Sequence, residues 1–197
     1  GESTLQTGKV IVCTGGKSYP LTGSTGDGYM FAEKCGHSLS ETLPALVPLV
    51  GNGDFFARLN KLTLKNIAAT LFVDGKKAFD EFGELEFADF GVTGPVILTL
   101  SRWAVIALHE KRSVRLSIDL KPALDDKKLD TRILRDLDAN GKQKLKALFR
   151  EWLPMQMIPV FVDLAKLDGE KLACQVSGDE RRRIVALMKN FACDIVG

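Results

Sequence analysis

Glycines, hydroxyl-bearing residues and one early lysine are concentrated between Val12 and Gly36, in VCTGGKSYPLTGSTGDGYMFAEKCG. A backbone without a Cβ can approach a ligand closely, and free amides at a following helix N-terminus favour an anion. This composition is typical of a loop that binds a nucleotide. The spacing of the residues distinguishes between the known kinds of nucleotide loop.

The first candidate is a P-loop, suggested by GGKS at residues 15–18. A P-loop requires G-x-x-x-x-G-K-[ST], with a helix that starts at the lysine. Here Ile11 occupies the position of the first glycine, and Tyr19-Pro20 follows the serine. Because a residue before proline avoids helical geometry, the helix cannot start in time. The spacing therefore excludes a P-loop.

The second candidate is the dinucleotide fingerprint G-x-G-x-x-G. Gly23, Gly26 and Gly28 give G-x-x-G-x-G instead, and they lie too far after the predicted strand for the tight turn that a pyrophosphate needs. The segment Gly23-Ser24-Thr25-Gly26 still precedes a helix. The residues alone leave two interpretations open: a site for an anion or an electron-rich ring edge, and a plain glycine turn with a Ser/Thr cap.

The elements around this loop follow from apolar periodicity. Residues 10–12 predict a buried strand, and residues 25–35 predict a short helix that Ser24 or Thr25 caps and Gly36 ends. Asp27 lies in the first helical turn, where the helix dipole favours a carboxylate. The proline-containing run LPALVPLV at 43–50 predicts an extended segment or an edge strand.

The rest of the chain divides into a β-rich middle and a helical end. Asp74-Gly75 predicts a hairpin within residues 62–90, a helix follows at 95–108, and residues 114–120 alternate as a strand does. After Pro122 the apolar period changes to that of helices, and the last helix, opened by a capping box at residues 177–180, is predicted to continue through Phe191.

Composition limits the function classes. The net charge of +2 over 197 residues argues against nucleic acid or an anionic membrane as the main partner. No apolar run is long enough for a transmembrane helix, and no signal peptide is recognisable. Widely spaced cysteines and two histidines predict buried, reduced thiols in a cytoplasmic protein and no metal site. The cysteines are Cys13, Cys35, Cys174 and Cys193.

Beyond these patterns, the stretch VIVCTGGKSYPLTGSTGDGYMFAEKCGHS, followed by PALVPL, resembles the BaiN-type, aminoacetone-oxidase-like NAD(P)/FAD-dependent oxidoreductases. These are bacterial flavoproteins with an insert domain. EFGELEFADFGVTGPVILTLSR, IDLKP and the W-L-P turn also fit the family, and the resemblance spans essentially the whole chain. Cys13 replaces a usual alanine, Ala88-Asp89 replaces Thr-His, and Thr93 replaces serine.

The resemblance implies an α+β fold: a β-rich pseudo-barrel insert domain with a small helical subdomain, plus a strand-loop-helix remnant of a FAD-binding Rossmann-like domain. We expect the FAD-binding segment at residues 1–50, the β-rich insert at 51–122 and the helical subdomain at 123–197. The chain would be a fragment of the flavoprotein, and the insert would shape or cover the substrate side of the flavin site.

The resemblance also implies which residues lie against the cofactor. The strand end and the GSTGDG loop would contact FAD, and NAD(P)H would be the reductant. The family's N-terminal βαβ unit and closing C-terminal motifs are absent, so we expect the chain alone to hold little FAD and to be inactive. Its partners would be the remainder of its own FAD domain and a small-molecule substrate. The predicted cofactor residues are Thr14, Gly15, Gly16, Gly23, Ser24, Thr25, Gly26 and Asp27.

Other conspicuous residues have plainer interpretations, and no catalytic residue is assigned. His109 is expected at a helix end, His37 beside a helix-ending glycine, and Arg181-Arg182-Arg183 on a solvated helix face. Three glutamates are expected on exposed strand faces and three phenylalanines in the core: Glu81, Glu84, Glu86, Phe79, Phe82 and Phe87. The alternative function is a freestanding β-plus-helical module that binds a protein or small ligand, with a glycine loop of no nucleotide role.

Overall fold

A computed structural model describes residues 4–197 of the chain. It divides into two compact units, one ending at Pro44 and one running from Ala45 to Gly197. The first three residues of the predicted segment 1–50 lie outside the described part. The α+β fold class expected from the sequence is confirmed.

The unit that ends at Pro44 contains a 3-10 turn, Pro20–Thr22, and helix α1, Asp27–Lys34. The predicted strand at residues 10–12 is wrong: these residues form no strand, and Val10 and Ile11 are 76% and 87% exposed. An apolar run becomes a strand only where another strand pairs with its backbone. No strand pairs with this segment in the part of the chain that the structure describes.

The second unit is built on a closed antiparallel barrel with the strand order β1-β4-β3-β2-β5-β6. The predicted Asp74-Gly75 hairpin between β2 and β3 is confirmed, and both turn residues have positive φ (49° and 74°), as a tight hairpin turn requires. The strands are β1 Leu49–Asn52, β2 Thr63–Val73, β3 Lys76–Ala88, β4 Gly91–Thr93, β5 Val114–Asp119 and β6 Phe191–Ile195.

Alternate residues of these strands fill the barrel. Ile67, Ala69 and Leu71 of β2 are buried, and Leu116 and Ile118 of β5 face the same interior. Helix α2 (Phe55–Leu59) and helix α3 (Pro95–His109) add buried apolar side chains to this core. Pro95 occupies the first turn of α3, as predicted, because its fixed φ suits that position.

The last strand corrects the sequence prediction. Helix α7 ends at Lys189, and Phe191 begins β6, which pairs with β5 and β1 and so closes the barrel. Phe191 follows Leu187 by four residues and Met188 by three, as in the apolar stripe of a helix, so the apolar spacing alone does not tell a helix from a strand here. Its ring instead packs edge-on against Phe55 and Phe87 inside the barrel.

Helices between β5 and β6 form the helical subdomain. Asp125 caps α4 by accepting a bond from the Lys128 amide at 2.8 Å. The predicted capping box of α7 is confirmed: Ser177 Oγ accepts from the Glu180 amide at 3.2 Å, and Glu180 accepts from the Ser177 amide at 2.7 Å. These helices are α4 Asp126–Ala139, α5 Leu145–Leu148, α6 Met157–Leu164 and α7 Gly178–Lys189, with 3-10 turns at Phe149–Glu151 and Ala173–Gln175.

Two expectations about burial are corrected. Phe87 lies in the core as predicted, but Phe79 and Phe82 are 41% and 59% exposed. Phe82 pairs with Ala68, whose neighbours fill the barrel, so it lies on the outer face, whereas Phe79 lies on the part of β3 that β4 does not cover. Phe79 instead stacks on Trp103 of α3, with ring centroids 4.2 Å apart. All four cysteines are free thiols, but only Cys193 is buried. Within residues 4–197, no helix has the length and apolar character needed to span a bilayer.

Candidate functional site

The two halves of the predicted cofactor loop lie against each other. A Cβ atom added to Gly15 would lie 2.6 Å from Ser24 Oγ, and one added to Gly28 would lie 2.6 Å from Thr14 Oγ1. Gly15 also has φ +72°, a conformation that favours glycine. The segment from Thr14 therefore packs on the segment from Ser24 because glycine occupies the contact positions.

The turn between these halves is made by the residues YPLTG. Thr22 donates from both its amide and its hydroxyl to the Tyr19 carbonyl, at 3.0 and 2.8 Å. The amide of Gly23 donates to the Pro20 carbonyl at 3.1 Å, with Gly23 at φ +89°. Pro20 fixes the start of this 3-10 turn and Gly23 ends it, so the chain reverses and returns Ser24 towards Gly15.

The structure adds two side chains that the sequence prediction did not include. The Lys17 ammonium lies 5.3 Å from the centroid of the Tyr29 ring. A Cβ atom on Gly26 would lie 2.9 Å from Lys17 Cγ and 3.2 Å from Tyr29 Cδ2. Lys17 and Tyr29 therefore enclose Gly26, which is buried. The sequence feature that could have identified these two side chains is their position directly beside the predicted glycines, in GGK and GDGY.

Helix α1 begins later than predicted, which corrects the assignment of its cap. The helix starts at Asp27, and the capping residue is Gly26, with φ +89° and no side chain to cap with. The Thr25 hydroxyl donates to Asp27 Oδ1 at 3.0 Å instead of capping an amide. The Asp27 carboxylate thus lies at the positive end of the helix, where the dipole favours it and where it disfavours a second anion.

The predicted residues differ in how much backbone they present. An added Cβ on Gly23 would meet nothing within 4 Å, and one on Gly16 would meet only Tyr29 Oη at 3.6 Å. Thr25 and Asp27 are exposed. The described loop therefore combines open backbone at Gly16 and Gly23 with hydrogen-bonding side chains at Thr25 and Asp27. It can accept a flat or hydroxylated group that carries no negative charge where Asp27 lies.

The three arginines of α7 make ion pairs and hydrogen bonds within the second unit. Arg181 Nε lies 2.7 Å from Asp130 Oδ1 and joins α7 to α4. Arg183 Nη1 donates to the carbonyls of Ala165 and Lys166, at 2.9 Å each, while Arg182 pairs with Asp179. Arg182 and Arg183 are exposed, as expected for a solvated helix face, but Arg181 and Arg183 also tie α7 to neighbouring segments of the unit.

The remaining notable residues lie where the sequence placed them or away from the loop. His109 is the last residue of α3, and Gly36, with φ +86°, precedes His37 after α1. A concave surface of about 790 Å³ lies on the outer side of β5 and β6, but none of the predicted cofactor residues lines it. Its Arg112 is paired with Asp74 at 2.7 Å, which raises the pKa of the guanidinium.

Comparison with known proteins gives the family of the second unit. Residues 43–197 match the family described as HI0933-like protein barrel and H2TH domain. The chain belongs to this family. The match covers the barrel and the helical subdomain of the HI0933-like unit, whereas Thr14–Asp27 precede it. The cofactor residues therefore stay a prediction.

Three curated relatives of this HI0933-like chain carry named activities. One, 27% identical over 161 residues, is the 3-dehydro-bile acid delta(4,6)-reductase of Clostridium scindens, with 81% of this chain and 39% of the relative aligned. The ribosomal RNA dihydrouridine synthase of Escherichia coli is 26% identical, with 93% of this chain and 43% of the relative aligned. The enzyme of the same name from Haemophilus influenzae is also 26% identical, with 83% of this chain and 38% of the relative aligned. The chain thus spans about two fifths of these relatives. The family match and the reductase confirm the resemblance found in the sequence.

Proposed function

We propose that this chain is the barrel-and-helical part of an NAD(P)/FAD-dependent flavoprotein oxidoreductase, together with the cofactor loop that precedes it in sequence. The observation that carries the proposal is the packing of Thr14 on Gly28, in a chain whose second unit belongs to the HI0933-like family. The packing holds the predicted cofactor loop in a defined shape. The protein would act in the cytoplasm, and the remainder of its FAD domain would complete the site.

The loop fits the uncharged portion of FAD better than the pyrophosphate. Gly16 and Gly23 present backbone without side chains, so a flat ring or a ribityl chain can approach them. Asp27 and Thr25 can accept hydrogen bonds from hydroxyl or ring N–H groups, whereas the Asp27 charge would repel a phosphate at the same place. A bound flavin supplies hydride transfer, and the role of these residues is to hold and orient it.

The names of the relatives suggest the class of reaction. A 3-dehydro delta(4,6) bile acid and uridine both contain a carbon–carbon double bond conjugated to a carbonyl group. We therefore propose that the parent protein reduces such a bond, with NAD(P)H as the source of electrons. The barrel and helical subdomain would shape or cover the substrate side of the cofactor, since ligand sites favour the boundaries between domains.

The alternative is a freestanding module that binds a protein or small ligand without a nucleotide. Membership of the HI0933-like family and the oxidoreductase names of the relatives weigh against it. The alternative also gives no reason for a loop in which an added Cβ at position 15, 26 or 28 would lie within 3.0 Å of a side chain from its other half.

The test is to express the complete reading frame that contains this chain, record its absorption spectrum and identify the released cofactor by chromatography. We expect FAD near one per chain, and oxidation of NADH or NADPH in the presence of a 3-keto-delta(4) steroid or a uridine-containing ribosomal RNA fragment. A complete protein without flavin would refute the proposal. The 197-residue chain alone should be colourless, and stoichiometric flavin on it would show that most FAD contacts lie within it.

A further inference from the structure

A second cavity, unrelated to the glycine loop, lies inside the HI0933-like unit between the barrel and the helical subdomain. This junction cleft has a volume of about 300 Å³. The start of β2, the residues that follow β5, and the turn before α6 form its walls. Its side chains include Thr63, Lys65, Lys121, Trp152, Pro154 and Met157.

The walls of the junction cleft are fixed to one another. Gln156 Nε2 donates to the carbonyls of Arg58 and Asn60, each at 3.1 Å, which ties the turn before α6 to the segment preceding β2. Arg58 also lies 2.7 Å from Asp163 of α6. On the other wall, the Leu120 amide donates to the Met188 carbonyl at 2.8 Å. The cleft is therefore built into the packing of the unit.

Lys121 is a half-buried cation in this cleft that lacks a counter-ion. Among residues 4–197, no carboxylate lies within 4 Å of its ammonium group. Asp119 accepts a bond from the Lys121 amide at 2.9 Å, but its other oxygen is taken by Lys189 at 2.5 Å. The acid beside Lys121 is thus already neutralised by another lysine.

The surroundings of Lys121 add positive charge. Arg132 lines a small neighbouring cavity together with Lys121 and Trp152, and it lies 3.8 Å from Asp136, which also holds Arg135 at 2.9 Å. Burial, and then the charge of Arg132, lower the pKa of Lys121 from its usual value. A half-buried ammonium group without a counter-ion is costly, and an anion in the cleft would compensate it.

We propose that the junction cleft binds a phosphate group, with Lys121 as the principal ligand and Thr63 as a further donor. Lys65 also lines the cleft, but its ammonium lies 3.5 Å from Glu84 on the exposed surface, so it is a secondary donor that an anion would share with that carboxylate. Donors on separate walls suit a tetrahedral anion with several acceptor oxygens better than a planar carboxylate. The volume is at the lower limit for ligand pockets, which fits the head of a phosphate ester rather than a whole dinucleotide. The phosphate can belong to a small ester or to an RNA phosphodiester.

Binding is tested with the full 197-residue chain by titration calorimetry and amide NMR shifts at constant ionic strength. The probes are inorganic phosphate, ribose 5-phosphate and a short single-stranded RNA. We expect saturable binding of at least one probe, with shifts at Thr63, Lys65 and Lys121. Lys121→Met should weaken it about tenfold or more, since a charge-assisted hydrogen bond is lost. Lys121→Arg should retain most of the affinity.

The control is Lys142→Met, which removes the same charge from an exposed turn outside the cleft and should leave the affinity unchanged. Lys121→Met should melt no lower than wild type, because it removes an uncompensated half-buried charge, so lost binding would not reflect unfolding. Binding of RNA alone would assign the site to a phosphodiester, and binding of the small probes to a phosphate ester. No saturable binding, or equal losses in the two methionine variants, would overturn the proposal.

Discussion

Gly28 of α1 lies so close to Thr14 that a Cβ atom on it would be 2.6 Å from the threonine Oγ1. Real Cβ atoms do not approach an oxygen this closely, so a side chain at position 28 requires the Thr14 side chain to rotate or one of the two segments to move. This contact joins the half of the loop that contains Thr14 to its helical half. It gives the proposed cofactor site its most direct test.

Gly28→Ala in the complete flavoprotein should lower the flavin content and the melting temperature. Overpacking at a close contact costs about 1–3 kcal/mol, which cancels or outweighs the gain of about 1 kcal/mol from replacing a helical glycine by alanine. Flavin content is read from the absorbance ratio of cofactor to protein. Gly8→Ala is the matched control, because a Cβ on Gly8 would meet nothing within 4 Å. Adding Thr14→Ala should restore part of the loss, and full occupancy in Gly28→Ala would refute the role of this contact.

Gly26→Val tests the enclosure formed by Lys17 and Tyr29. Gly26 has φ +89°, so a branched side chain there is strained by about 1–3 kcal/mol, and it would also displace Lys17. Gly36→Val imposes the same kind of strain at the other end of α1, where φ is +86° and nothing lies within 4 Å. In the complete protein, we expect flavin loss with Gly26→Val and much less with Gly36→Val. Equal losses in the two variants would remove Gly26 from the cofactor residues.

Local signals in the sequence predicted the elements that local interactions determine. Asp74-Gly75 predicted the β2–β3 hairpin because its dihedral angles belong to few residue types, and Ser177 with Glu180 predicted the start of α7 because both bonds form within one turn. The glycine positions of the cofactor loop predicted close backbone approach. They could not show that Gly15 and Gly28 contact the loop's own other half.

Elements that depend on pairing with residues distant in the sequence were predicted wrongly. Residues 10–12 have the composition of a strand, but no strand pairs with them in the described part of the chain. Phe191 continues a helical stripe, yet pairing with β5 and β1 makes it the start of a strand. The junction cleft was likewise invisible, because Lys65, Lys121 and Trp152 are far apart in sequence and only the packing of the helices on the barrel brings them together.

Cys193 should be distinguishable from the other cysteines by its reactivity. Burial, then the neighbouring Asp194 charge, raises the pKa of its thiol to about 12, so almost no thiolate exists near neutral pH. Cys13, Cys35 and Cys174 are exposed. Iodoacetamide at mildly alkaline pH should label these three in the folded chain and Cys193 only after denaturation, as followed by peptide mass spectrometry. Rapid labelling of Cys193 in the folded chain would contradict the buried position of β6.

Glu170 links two parts of the helical subdomain through Lys144 and Lys146. Lys144 Nζ lies 2.7 Å from one carboxylate oxygen, and Lys146 contacts the other. These bonds lower the pKa of Glu170 from 4.5 to about 2. A carboxyl whose pKa is lower in the folded state adds stability above its unfolded pKa, and the contribution is lost as the pH falls through the folded value.

The stabilising contribution of Glu170 is therefore fully present above pH 4.5 and disappears towards pH 2. Glu170→Gln removes the charge, so its urea midpoint should fall less than that of wild type between about pH 6 and pH 3. The difference should be small and should shrink in salt, because the side chain is 54% exposed. Glu151→Gln, at an exposed carboxylate with no ion pair among the described residues, should follow wild type. A Glu170→Gln profile that coincides with wild type would show that the pair of lysines does not hold this carboxylate in solution.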